Sequence, residues 1–251
     1  MKIEDYLAQG GVLSSPENAP PRYRAELLRL MATFVDSELA AAAGFAEMIN
    51  AGPGIPERVA AARIVMEKTE NAGRVLRIMG DFGANTARYV GAHPWAERLD
   101  RNADIGATRV KGDMRLSVFN YPFTGWADSV VMHLLMGLAA DEQIGEFARV
   151  SYGPLAEVFR AIAPVEAAHT ASAQKGVSRL VETGADTAEL QASVTYWWPR
   201  VAASFGQDVS SRAATLAAFG LRHQTNAELR GCWERRAGAA LAELGLTAPE
   251  G

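Results

Sequence analysis

The chain has a single cysteine, Cys232, in 251 residues. One thiol makes neither an internal disulfide framework nor a thiolate metal cluster, and its expected place is that of a small buried or half-buried residue. Excess charge of either sign is missing too, since 25 basic and 29 acidic side chains leave a net charge of −4. The basic residues are interspersed with acids, so no electrostatic footprint for nucleic acid or an anionic membrane exists, and neither partner is expected. No run approaches the roughly 20 apolar residues of a membrane span. The opening MKIEDYLAQG is polar with two early acids, the character of neither a signal nor a transit peptide. A cytoplasmic protein is the expectation.

Convincing strand alternation is also lacking; what is present is helical periodicity. At 49% hydrophobic content, the length suits one well-filled domain, residues 21–251, behind a flexible tail of residues 1–20 broken by Gly and Pro. Helical patterns run over about 21–50 and 56–82, then about 126–149 and 153–183, then 187–205 and 209–244 with FGQD between the last two. Residues 83–125 lose periodicity and collect Gly, Pro, Asn and Asp, so they read as a long irregular connection with a short strand at RLSVFNY. Four long amphipathic helices joined short, long and short predict an all-α, ferritin-like four-helix bundle with one crossover, and the C-terminal helices pack on its outside.

Several polar residues stand where the apolar faces require core. The first helix carries Leu27, Met31, Phe34, Val35, Ala41, Ala42, Phe45 and Met48 on one stripe with Glu38 in its middle. In the second, Ala61, Ile64, Val65, Ala72, Val75, Leu76 and Met79 mark the stripe; Lys68 and Asn71 share it, while Arg63, Glu67, Glu70, Arg74, Arg77 and Asp81 fall opposite. The third puts Gly137 in the stripe Val130, Leu134, Ile144, with Asp141 and Glu142 the nearby acids. The fourth aligns Glu166 and His169 at i, i+3 with Leu155, Phe159, Ile162 and Ala173. A Glu-x-x-His pair on one face lets carboxylate and imidazole reach one metal ion, as in di-iron bundles, but it equally describes a satisfied buried pair.

Several strings in order, FNYPFTGWAD at 119–128, VSYGPLAEVFRAI at 150–162, YWWPRVAASFG at 196–206 and TNAELR at 225–230, give the chain its resemblance to the phenylacetic acid catabolic proteins, specifically the alpha-subunit type of the multicomponent phenylacetyl-CoA epoxidase. The resemblance implies a ferritin-like fold. It also implies a carboxylate-bridged di-iron centre that activates dioxygen to epoxidise the ring of an aryl-CoA thioester, a partner subunit of the same fold and a separate reductase. By the same resemblance, Glu38, Glu166 and His169 match family ligand positions, whereas Lys68, Asn71 and Gly137 replace the ligands from helices two and three. A protonated lysine has no lone pair to give a metal, and a lone amide oxygen binds weakly.

Two expectations follow. In one, Lys68 and a protonated His169 balance Glu38 and Glu166, no cofactor is held, and the chain is a structural or regulatory subunit or an acyl-CoA binder in a homo- or hetero-oligomer. In the other, it is a working oxygenase component whose metal site is rearranged to use Glu67, Glu70, Asp141 or Glu142, or whose Glu38, Glu166 and His169 hold one zinc or manganese. Arg109, Lys111 and Arg115 in the long connection are candidates for a CoA phosphate. His93 and His223 read as surface residues, His133 as facing a helix interface, and Trp197-Trp198-Pro199 as an aromatic packing element.

Overall fold

The computed structural model describes residues 3–89, 91–105, 112–208 and 211–249. Among these the chain is all-α, and its only strand-like feature is an isolated bridge between Leu13 and Tyr152. The bundle consists of α2 (Pro21–Met48), α3 (Ile55–Asp81), α5 (Trp126–Phe147) and α6 (Gly153–Glu182). Each of α2, α3 and α6 begins with a proline in its first two positions, where the missing N–H costs nothing and the fixed φ already suits the helix. α2 packs along α3 and α5 along α6, and the two pairs meet through α3 against α6 and α2 against α5. No helix of the described residues is long and apolar enough to cross a membrane.

Residues 3–20, whose Gly and Pro content suggests a flexible tail, lie against the bundle. They form α1 (Ile3–Ala8) and a short 3-10 turn, Pro16–Asn18. Leu7, Leu13 and Ala19 are buried, and Leu13 exchanges backbone hydrogen bonds with Ser151 and Gly153, each 2.8 Å. These apolar residues are six apart, a spacing with neither helical nor strand period, so no pattern announced the docking.

The long connection from α3 to α5 holds a short helix, α4 (Thr86–Tyr89), and a 3-10 turn at Ser117–Asn120 where a strand was expected. It is strapped to the bundle by polar groups. Asp36 accepts from the Tyr89 hydroxyl at 2.6 Å and the Met114 N–H at 2.7 Å, and Ser37 Oγ accepts from the Leu116 N–H at 3.0 Å. At its far end Asp128 receives two guanidinium bonds from Arg101, 2.9 and 2.8 Å, and one of 2.9 Å from the indole of Trp197. The Arg101 guanidinium also lies 3.6 Å over the ring of Tyr196. The 196–200 motif is therefore the anchor of the crossover.

Burial pushes the Asp128 carboxyl up, but the bonds from Arg101, the Thr124 N–H and Trp197 outweigh it and leave the group below the usual carboxylate range. A depressed carboxylate contributes stability that is present above its unfolded pKa and is lost as pH falls. Asp128→Asn should thus cost about 2 kcal/mol at neutral pH. The gap between its midpoint and the wild type's, measured by thermal melts, should close as pH drops below about 4.

Beyond the bundle, α7 (Thr187–Ala202) and α9 (Asn226–Glu243) pack on α5, as the expected outer helices do. The expected single helix over 209–244 is instead broken. α8 (Ser211–Ala218) stops before Gly220, whose φ is +60°, and α9 restarts at a capping box in which Thr225 and Glu228 bond each other's backbone N–H groups.

Candidate functional site

Three of the four bundle helices, α2, α3 and α6, supply one polar cluster. Lys68 of α3 is only 6% exposed. Its Nζ donates to Glu38 Oε1 of α2 at 3.1 Å and to Glu166 Oε2 of α6 at 2.8 Å. Asn71, one turn further along α3, donates to Glu166 Oε1 at 2.9 Å. His169 Nδ1 lies 3.4 Å from that same oxygen, within ion-pair reach but without hydrogen-bond geometry, and its Nε2 is paired with Glu67 Oε2 at 2.6 Å. The inward placement of Lys68, Asn71, Glu38, Glu166 and His169 follows the sequence periodicity. That of Glu67 does not: read as a member of the solvated face, it is half-buried and reaches around the helix to the imidazole.

The two buried carboxyls behave oppositely. Burial raises Glu38, the charge of Glu166 raises it further, and Lys68 offsets only part of this, so Glu38 titrates well above an ordinary glutamate. Burial also acts to raise Glu166, yet the Lys68 ammonium and the His169 imidazole overcome it and hold that carboxyl well below the usual range. For Lys68, burial favours the neutral amine but the two carboxyls more than compensate, and its affinity for a proton rises. The ammonium therefore favours the charged form of Glu166 more than that of Glu38. His133 of α5, in contact with Phe45, is pushed by burial down to about 3 and stays neutral.

A carboxylate-bridged di-iron centre requires inward lone pairs from all four helices. The residues present do not fit it. The Lys68 ammonium occupies the gap between the two carboxyls, Asn71 offers only an amide, and α5 offers Gly137. Among the described residues no group of three or more His, Cys, Asp and Glu side chains is arranged to hold a metal ion. Gly137 is itself required by packing. A Cβ there would lie 2.6 Å from Thr170 Oγ1 and 3.3 Å from Thr170 Cα, so α5 and α6 approach too closely for an acid at this position.

The other candidate acids are engaged outside the cluster, although Asp141 also takes a 3.4 Å bond from Thr170 Oγ1 beside it. Asp141 and Glu142 both accept from Arg236 of α9, at 3.0 and 2.5 Å, and Glu70 is exposed. Arg115, a candidate for a CoA phosphate, is turned inward: it bonds Asp113 at 2.7 Å and the Pro94 carbonyl at 3.1 Å, and is 6% exposed. Arg109 and Lys111 lie outside the described residues. His93 is half-buried against Trp95, and His223 is exposed.

Glu38, Lys68, His133, Gly137 and Glu166 all line one cavity of about 600 Å³. Its body is apolar, and it reaches solvent at a polar rim around Gln207, Arg222 and His223. The rim is set by Glu146, a fully buried carboxylate that pairs with Arg149 and accepts from the His223 and Gln224 N–H groups at 2.5 and 3.1 Å. Nothing in the helical pattern singled out Glu146, since it shares its turn with buried and half-buried residues alike.

A curated relative from Escherichia coli (strain K12), one of the components of its 1,2-phenylacetyl-CoA epoxidase, is 26% identical over 255 aligned positions that cover 99% of this chain and 77% of the relative. The family model described as "Phenylacetic acid catabolic protein" matches residues 8–251, nearly the full length, and the chain belongs to that family.

Proposed function

We propose that the chain is a phenylacetyl-CoA epoxidase-type subunit of phenylacetate catabolism that works without a di-iron centre, in the cytoplasm, as a structural or regulatory member of an oligomer with a ferritin-like subunit of its own family, or as an acyl-CoA binder. The single observation that carries this is the Lys68 ammonium bonded to Glu38 at 3.1 Å and Glu166 at 2.8 Å. A permanent internal cation does for these carboxyls what a metal would otherwise do: it supplies the positive charge without which their burial is costly. With no redox centre of its own, such a protein shapes and steadies an assembly, or holds a substrate, rather than activating oxygen.

Metal content tests it. After expression in iron-rich medium, the purified protein should hold iron, zinc and manganese far below one equivalent per chain. Roughly two irons per chain would mean a bundle of the ordinary di-iron kind and end the proposal. One observation favours a rival, an oxygenase component acting on an aryl- or acyl-CoA thioester through a rearranged or mononuclear site: Glu67 does reach His169. A single tightly held metal lost in Glu67→Gln would establish that rival. Acyl-CoA binding has its own readout, because a ligand that binds only the folded state raises the unfolding free energy by about 2.7 kcal/mol at a hundredfold excess over Kd.

A further inference from the structure

Beside the half-buried Ser204 Oγ, two deep polar atoms on the cavity wall have no hydrogen-bond partner among the described residues: Glu38 Oε2 and His133 Nε2. Both belong to side chains more than nine-tenths buried, in residues 7% and 6% exposed, and both residues line the cavity of about 600 Å³. Buried polar groups are almost always satisfied, and leaving one unmet is expensive. The cavity is within the size range of small-molecule pockets and far larger than a single bridging water needs. Its occupant is therefore placed to complete these two groups.

The wall also restricts the occupant's chemistry. Phe34, Phe45, Phe119, Phe147 and Phe205 line the cavity, with Met132 and Met136 beside them, surfaces that pack best on a flat ring through edge-to-face and sulfur–aromatic contacts. A second carboxylate entering here would meet Glu166, and an ammonium would meet Lys68, so a charged inner end is disfavoured. A hydroxyl donates and accepts at once, which suits a carboxyl oxygen and a neutral imidazole nitrogen alike.

We infer that the cavity binds hydroxylated aromatic molecules, with the ring among the phenylalanines and the phenolic hydroxyl at Glu38 and His133. This rests on the metal-free reading, since a metal at the cluster would claim Glu38. The site then recognises a ring that already carries oxygen.

The test compares 4-ethylphenol with ethylbenzene by titration calorimetry on the full chain, with metal content measured on the same sample. The phenol should bind saturably and at least tenfold more tightly, and His133→Phe should reduce that ratio severalfold. Equal affinities, or no binding of either, overturn the inference, because the orphaned atoms are then met by water alone. The wild-type ratio decides even where the variant fails to fold. Iron in the sample sinks the metal-free reading, whereas metal-free protein without the hydroxyl preference sinks only this inference.

Discussion

Lys68→Met lowers stability by about 4 kcal/mol, the expected result of removing one partner from a buried ion pair. In a chain of this length that corresponds to a drop of about 10 °C in thermal midpoint. The methionine fills nearly the same volume, so the loss is electrostatic: Glu166, 3% exposed, keeps only Asn71 and His169 as partners. The two carboxyls should not respond alike to removal of their own charge. Glu166 collects the 2.8 Å ammonium bond, the 2.9 Å amide bond and the nearby imidazole, whereas Glu38 makes one bond of 3.1 Å and leaves its second oxygen unpartnered. Glu166→Gln in the wild-type background should therefore cost about 3 kcal/mol, and Glu38→Gln less than about 1 kcal/mol. In the Lys68→Met background Glu166→Gln should recover part of the loss. Denaturant melts of the four variants check the pattern, and an unchanged midpoint for Lys68→Met would remove the ammonium from the account altogether.

That ammonium was legible in the sequence because it broke a rule. A lysine and an amide in the middle of an apolar stripe have no helix end to escape from, so their burial, and with it their acidic partners, followed from spacing alone. The four bundle helices were legible for the same reason, each within a few residues of its observed ends. Glu67 was not. Helical spacing gives the direction of a Cα–Cβ bond, and Glu67 shares its sector with Arg63 and Arg74. It also sits three residues after buried Ile64 and four before buried Asn71, at the edge of the stripe, where a long side chain can turn either way. Its choice depends on His169 across the helix boundary, a tertiary fact. The break before α9 had a visible signal, the Gly220 turn and the Thr225/Glu228 capping box, which the continuing apolar period over 209–244 concealed. The rim-setting Glu146 had none.

Gly137 shows how a degenerate site becomes locked by its packing. Restoring acids and imidazole by Lys68→Glu, Asn71→His and Gly137→Asp together should fail to create a metal centre, because any Cβ at 137 is driven to 2.6 Å from Thr170 Oγ1. Overpacking of that kind costs about 1–3 kcal/mol, and the triple variant adds two carboxyls, at positions 68 and 137, beside Glu38 and Glu166 with no lysine to offset them. Adding Thr170→Ala removes the closest obstacle to a side chain at position 137, the hydroxyl at 2.6 Å, and leaves the 3.3 Å contacts with Cα and Cβ, while the alanine keeps the helix propensity of α6. The quadruple variant should then be the one whose stability depends on metal: its carboxyls repel one another until a divalent cation enters. A thermal midpoint at least about 10 °C higher with ferrous iron than with chelator is expected on that basis, since binding to the folded state alone must raise it. The triple variant should show little or no such gap. Equal iron dependence in both would mean that Thr170 yields without substitution. The absence of α5's acid would then owe nothing to the close approach of the two helices.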